Sequence, residues 1–257
     1  IVFDNFLYII NDSLYVDIMP VKTKDYRAFL GALKSYYSQR FHDSIAKLPS
    51  WGVSNAQIDS LKLYYQGDSI LFTKMLPRTW MTYDNYRKKY EVDYHLTNPK
   101  YLEYPVVNIR KEHVKMFCQW RTDMIKIYYS VISKTEKARN KYPLNFKYRM
   151  VTREEWEQIL SDHFADVGFI DKKKRDQDNM NIPRPYLKKK KRKFYYDVDN
   201  AGELLDNDVV SIDFQWTNSV GMGNISYIQF DEPSAFISFR CICEILPQEK
   251  EKIKKTK

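Results

Sequence analysis

Three groups of residues in this sequence could do chemistry. They are the cysteines Cys118, Cys241 and Cys243, the histidines His42, His95, His113 and His163, and the cationic run from Lys188 to Lys193. A thiolate can serve as nucleophile or soft metal ligand, but a metal site needs several donors converging on one point. The cysteines lack CxxC spacing and are too few for a disulfide scaffold. The histidines are far apart, with no HxxxH pair, and read as surface residues. GxSxG, GxxxxGK and HExxH patterns are missing, so the serine-hydrolase, phosphate-loop and zinc-protease sites they mark are excluded. Only 7 glycines occur in 257 residues, and Gly221-Met222-Gly223 is a lone turn-like pair. Glu154 and Glu155 could pass for an acid–base pair. Thr152-Arg153-Glu154-Glu155 is, however, a helix-capping box, and acids in a first turn are favoured by the helix dipole.

The run Lys188, Lys189, Lys190, Lys191, Arg192 and Lys193 could dock an acidic protein, lipid headgroups or nucleic acid, or be a solvated loop. The net charge is +9. The run supplies +6 and the tail 250–257 supplies +4, so the rest of the chain carries −1. Basicity this local argues against a broad nucleic-acid-binding face. Tyr195 and Tyr196 follow the run, but two aromatics do not make a stacking platform. No run of about 18 apolar residues is present, so no transmembrane helix is expected.

These residues must be positioned by regular elements. FLYII and LYVDIM, within 6–19, read as two strands around an Asn11-Asp12-Ser13 turn. A helix follows with Thr23 as its cap, and Tyr26, Phe29, Leu30 and Leu33 form its apolar stripe. Residues 38–100 are irregular and aromatic-rich. A second helix spans about 111–133, with Val114, Phe117, Cys118, Met124, Ile125 and Tyr128 on one face. A third begins at Thr152 and points Trp156, Ile159 and Leu160 at the core. Residues 171–197 read as an exposed insertion. Strand alternation then follows at Val210, Ile212, Phe214 and Trp216, and at Ile237, Phe239, Cys241, Cys243 and Ile245. Cys118 and Cys241 each fall on an apolar face, where two buried thiols would act as small apolar residues. Helices early and strands late, without βαβ alternation, predict an α+β fold.

Four segments, in order, resemble the formylglycine-generating (sulfatase-modifying factor) family. LYVDIMPVKTKDYRAFL at 14–30 is similar to its opening motif through Tyr15, Asp17, Val21, Tyr26 and Phe29, with Pro20 in place of a Glu. YPVVNIRKEHVKMFCQWRT at 104–122 matches at Pro105, Val106, Val107, Phe117, Cys118 and Trp120, with Lys111 in place of a Trp. RMVTREEWEQI at 149–159 matches at Arg149, Thr152, Glu155 and Trp156. ISFRCICEI at 237–245 matches the closing G-F-R-C at Phe239, Arg240 and Cys241, with Ser238 in place of the Gly. The resemblance implies an irregular C-type-lectin-like α+β domain over 1–249, followed by a basic tail at 250–257. It implies structural roles for Cys118, Cys241, Arg149, Thr152, Glu155, Trp156 and Trp120. In that family the two cysteine positions are close and can form a disulfide. Arg149 is expected to be buried and to tie loops together.

The family's oxidases hold copper with a cysteine pair shortly before the final strand. Here residues 217–235 contain no cysteine, so the formylglycine reaction is not expected. Asp199-Asn200-Ala201-Gly202-Glu203-Leu204 resembles a family loop that can bind calcium, with Asn200 and Glu203 as the oxygen donors. Beyond such a structural calcium no cofactor is expected. NPKYLEYP at 98–105 leading into YPVV and WRT looks most like the catalytically silent gliding-motility and type IX secretion lipoproteins of Bacteroidetes. This implies a non-catalytic scaffold with protein partners in a periplasmic, outer-membrane-associated assembly, and association with the membrane surface. Their anchoring cysteine is not in this chain. The competing readings are a divergent metal-dependent enzyme of the same family and a nucleic-acid binder using 188–193. Six consecutive cations cannot be buried without partners. Deleting 186–193 is therefore expected to shift the melting temperature by less than about 2 °C in calorimetry, and a larger drop would show that the segment supports the core.

Overall fold

A computed structural model describes residues 7–36, 38, 40, 43, 99–163, 167–168, 185, 194–197, 200–213, 225–231, 233 and 237–247. The N-terminal hairpin pairs β1 (Leu7–Asn11) with β2 (Leu14–Asp17). Its turn is closed by Asn11 Oδ1, which accepts from the Ser13 and Leu14 amides at 2.8 and 2.9 Å. Helix α1 (Thr23–Tyr36) follows. Thr23 is the first residue of the helix rather than the one before it: the Lys22 carbonyl accepts from the Tyr26 amide, and the Thr23 hydroxyl donates to the Tyr104 carbonyl at 3.1 Å. That bond holds the start of α1 against the turn after a 3-10 helix at Pro99–Tyr101.

Helix α2 (Lys111–Ile132) carries the longest apolar stripe. Val114, Phe117, Cys118 and Ile125 are buried and Met124 is partly buried, as the periodicity predicts, but Tyr128 is 42% exposed. The buried side widens instead to His113, Trp120, Arg121 and Thr122, so His113, and likewise His163, is buried and not a surface histidine; His42 and His95 lie outside the described residues. A short helix α3 (Glu136–Arg139) turns the chain into β3 (Phe146–Met150). Helix α4 (Arg153–Asp162) starts at the Thr152 capping box and buries Trp156, Ile159 and Leu160. The remaining strands are β4 (Val167–Gly168), β5 (Tyr196–Asp197), β6 (Gly202–Leu204), β7 (Val209–Asp213), β8 (Ile225–Gln229), β9 (Ile237–Ser238) and β10 (Cys241–Ile245).

These strands form an antiparallel sheet ordered β1-β2-β10-β3, a mixed sheet ordered β8-β7-β6-β9, and the parallel pair β4-β5. The fold is α+β. Alternation through 237–245 suggests one continuous strand, but the chain leaves the mixed sheet after Ser238 and enters the antiparallel sheet at Cys241. Phe239 and Arg240 span the crossing. The antiparallel sheet is buried on both faces. Cys241, Cys243, Tyr148 and Met150 join Phe29, Phe117 and Trp120 in one core. Ile242 and Val16 join Trp156, Ile159 and Phe194 in another. Ile242 therefore sits in a core, although period-2 reading puts it opposite the apolar residues.

The end of the expected insertion is also different. Phe194, Tyr195 and Tyr196 are 0%, 2% and 1% exposed, so exposure cannot extend to 197. Trp156 sets this limit by packing on Phe194 and Tyr196 at ring separations of 5.9 and 5.3 Å. Residues 171–184 and the basic run 188–193 lie outside the described residues, as do Phe214, Trp216 and most of 38–98.

Trp156 and Trp120 are both fully buried. Trp156 Nε1 also donates to Ser211 Oγ at 2.8 Å, fixing α4 to β7. Trp156→Ala is expected to cost about 3–5 kcal/mol in chemical denaturation. A loss below about 1 kcal/mol would be incompatible with a tryptophan at the centre of the second core.

Candidate functional site

The strongest polar constellation lies where β2, β10 and α2 meet. Asp17 ends β2 fully buried, and Arg121 sits on the buried stripe of α2. Arg121 Nη1 and Nη2 donate to Asp17 Oδ2 and Oδ1 at 2.5 and 2.8 Å, a bidentate pair. The Cys241 amide also donates to Asp17 Oδ2 at 3.3 Å. Burial alone would depress the Arg121 guanidinium, but Asp17 outweighs it and holds the group well above its ordinary value.

A second buried pair adjoins the first. Arg240 donates through Nε and Nη2 to Glu203 Oε1 at 3.1 and 2.5 Å. It also donates to the carbonyls of Asp17 and Tyr195 at 3.1 and 3.0 Å. Its guanidinium lies 4.9 Å from the Trp156 ring and 4.5 Å from the Phe194 ring. One side chain thus joins β2, β6, the segment before β5 and the second core. Such multiple satisfaction is what permits a guanidinium to be buried.

The structure brings Cys118 and Cys241 together. Their sulfurs are 3.5 Å apart, in contact and unbonded, as free thiols. The contact with Cys241, then burial, pushes the Cys118 thiol well above its ordinary value. Cys243 is pushed up to about 12, chiefly by burial. Both are held as thiols rather than thiolates at neutral pH, the form that is a poor nucleophile.

The capping box forms as expected. Thr152 Oγ1 accepts from the Glu155 amide at 3.3 Å, and Glu155 Oε2 accepts from the Thr152 amide at 3.0 Å. Arg149 is not buried: its side chain is 24% exposed. It ties a helix start to a strand rather than loops to each other. Nη1 and Nη2 clamp Glu155 at 2.8 and 2.6 Å, and Nε reaches Glu244 of β10 at 2.8 Å. Lys111, where the resembling motif has Trp, donates to the Asp206 carbonyl and pairs with Asp208 at 2.7 Å. Asp208 has a left-handed φ of 56°, which Asp tolerates better than most residues. Lys111 thereby fixes the β6–β7 turn to the start of α2.

The calcium donors inferred from sequence are both buried but differently engaged. Asn200 Oδ1 accepts from the Ala201 amide at 3.0 Å. Glu203 gives Oε1 to Arg240, whose cation a second positive ion would have to approach, while its Oε2 is buried without a hydrogen-bond partner. Calcium takes six to eight oxygens. No group of three or more His, Cys, Asp or Glu converges among the described residues, and Asp199 of the inferred loop lies outside them. No helix among them is long and apolar enough to cross a membrane.

Beside Cys243, a cavity of about 240 Å³ opens between β2, the C-terminal part of α2, β3 with the preceding Pro143, and β10. Tyr15, Tyr129, Phe146 and Tyr148 line it with aromatic rings, and Cys243 is at its wall. Tyr129 is held in place by Tyr142, stacked at 4.3 Å and 12°. Sequence reading missed this site because its walls come from four separate segments. It also missed the pairing of Asp17, Arg121, Glu203 and Arg240. The available signals were an Asp in the alternating strand LYVD and an Arg at helical spacing from Val114, Phe117 and Cys118.

No family model, no curated protein and no solved structure matches this chain.

The Arg149 clamp makes a pH-dependent contribution to stability. Burial would raise Glu155, but the hydrogen bonds from Arg149 outweigh it and hold the carboxyl below its unfolded value of 4.5; Arg149 lowers Glu244 likewise. A lowered folded-state value stabilises above the unfolded one and is lost as pH falls through the folded one. Glu155→Gln is expected to cost about 1–3 kcal/mol at pH 7. The difference from the parent should shrink as pH drops below 4.5 in urea melts. A pH-independent difference would assign the effect to the cap alone.

Proposed function

We propose that this chain is a non-catalytic scaffold or binding component of a cell-envelope assembly. The assembly is of the type IX secretion and gliding-motility kind, on the periplasmic side of the outer membrane. The chain would be a silent formylglycine-generating-enzyme-like domain with a C-type-lectin-like frame. One observation carries this reading: the chemically able groups of the motifs serve internal structure. Cys118 and Cys241 are core thiols in mutual contact. Arg240 of the F-R-C motif is spent on Glu203 and two carbonyls. Arg149 and Glu155 build a helix start. What the frame leaves for the outside is shape, and a rigid frame with irregular connections suits recognition.

The test is to isolate the full-length chain from its native envelope and measure the mass of the particle it travels in. The expected result is a large multi-protein assembly that survives purification, with no conversion of a sulfatase-type cysteine peptide to formylglycine in the presence of copper. A chain recovered alone that performs this conversion, and loses it on Cys243→Ala, would establish the divergent enzyme instead. Steeply salt-dependent binding of DNA or RNA would favour a nucleic-acid role.

A further inference from the structure

The aromatic cavity and the surface next to it form a docking site. At about 240 Å³ the cavity is below the size that takes a cofactor or drug-sized molecule. It is a recess for one bulky side chain. The rings of its wall are braced: Tyr129 packs on Tyr142 and, at 6.1 Å, on Phe146, and Phe146 meets Tyr148 edge-on at 6.2 Å. A braced aromatic recess receives an apolar anchor with little cost of reorganisation.

The surface continues outward from this recess. Tyr128, Val131 and Ile132, at i, i+3 and i+4, share one face at the end of α2 and are 42%, 63% and 40% exposed. The Tyr128 ring is 6.0 Å from Tyr129 of the cavity wall. Leu144, 37% exposed, follows Pro143, which also lines the cavity. Four of the five exposed large apolar side chains among the described residues therefore gather here.

Charge identifies the occupant. Between 123 and 147 the chain carries six cations, Lys126, Lys134, Lys137, Arg139, Lys141 and Lys147, against two carboxylates, Glu136 and Asp123, the latter acting on Lys126. Two of the cations lie by the cavity's rings: the Lys126 amino group is 5.4 Å from the centre of Phe146, and the Arg139 guanidinium is 5.7 Å from that of Tyr129. Arg139 is 1% exposed and donates to the Tyr142 and Pro143 carbonyls at 3.3 Å, so it braces the wall and leaves the lysines for a partner. Lys147 is already paired with Glu244 at 3.3 Å. Lys126 is partly buried, and burial pulls its ammonium below the usual value. An approaching carboxylate would restore it.

We propose that this face binds a partner protein through an acidic segment bearing one bulky aromatic or aliphatic anchor, with the anchor in the cavity and carboxylates against Lys126 and its neighbours. The inference rests on the binding role proposed above and names its surface. A membrane would share the preference for cations and apolar groups, but it needs protruding side chains, and the defining feature here is a recess.

The test titrates full-length protein into a fluorescein-labelled hexapeptide that has one Phe among Asp and Glu residues. Saturable binding is expected. It should weaken about tenfold when the peptide's Phe becomes Ala, when its acids become Lys, or when the protein carries Val131→Asp or Lys126→Glu. Val131 is exposed, and Lys126 is only partly buried, so circular dichroism should show both variants folded. Absence of saturation, equal binding of all three peptides, or binding that both variants leave unchanged would overturn the docking face. Binding to vesicles containing phosphatidylglycerol that the peptide does not compete away, and that Val131→Asp abolishes, would overturn it in favour of a membrane surface. The outcomes separate from those of the functional reading. If Val131→Asp stays in a native envelope assembly and the peptide does not bind, this face is wrong and the scaffold stands. If the peptide binds as expected but the chain enters no assembly, the scaffold is wrong and the face stands.

Discussion

Two buried ion pairs, Arg121 with Asp17 and Arg240 with Glu203, are joined through the Asp17 backbone and hold this structure together. Removing a carboxylate and a guanidinium from water is costly, and their mutual attraction repays that cost only with good geometry and further hydrogen bonds. Asp17 meets both conditions. Its side chain takes both arms of Arg121 and the Cys241 amide, while its carbonyl accepts from Arg240. Arg240 in turn fills its donors on Glu203 and Tyr195. The seam lies at the point where the chain passes from one sheet to the other. Apolar packing there would stabilise many arrangements of Phe239 and Arg240, whereas a guanidinium with fixed partners accepts few. Losing one member would leave an uncompensated buried charge, which costs about 3–5 kcal/mol.

The same seam sets the surroundings of the cysteines. Cys241 has its amide on Asp17 and its sulfur against Cys118, with helix α2 on one side and the sheet on the other. Its neighbour Cys243 faces the aromatic cavity, where poor hydration disfavours the thiolate. The sulfur atoms thus behave as small apolar side chains. The packing that makes the antiparallel sheet also holds Cys118 and Cys243 in the thiol form.

Local features were legible in the sequence because their determinants are local. The Asn11-Asp12-Ser13 turn, the stripe of α2 and the Thr152–Glu155 capping box each depend on residues a few positions apart. The contact of Cys118 with Cys241 followed from resemblance and from their placement on apolar faces. Features that depend on distant chain segments were hidden. Period-2 reading ran straight through 237–245, since nothing in ISFRCICEI marks the change of sheet. It misassigned Ile242 because this sheet is covered on both faces, where alternation loses its meaning. Phe194, Tyr195 and Tyr196 read as the end of an insertion because six cations precede them, yet the rings of Phe194 and Tyr196 complete the core around Trp156 and Tyr195 packs with Met19. The cavity had no local signature, since each wall residue looks like an ordinary core aromatic.

The pairing of β2 with β10 brings together strands that lie more than two hundred residues apart, with the bond from Arg240 to the Asp17 carbonyl spanning 223 positions. Synthesis delivers β2 early, and both its edge and Asp17 must wait for a partner that comes late. At about 5–20 residues per second, that interval is on the order of ten seconds or more. Throughout it the β1–β2 hairpin and the stripe of α2 would stay open to wrong partners, an exposure that favours escort by a chaperone until the closing strand arrives.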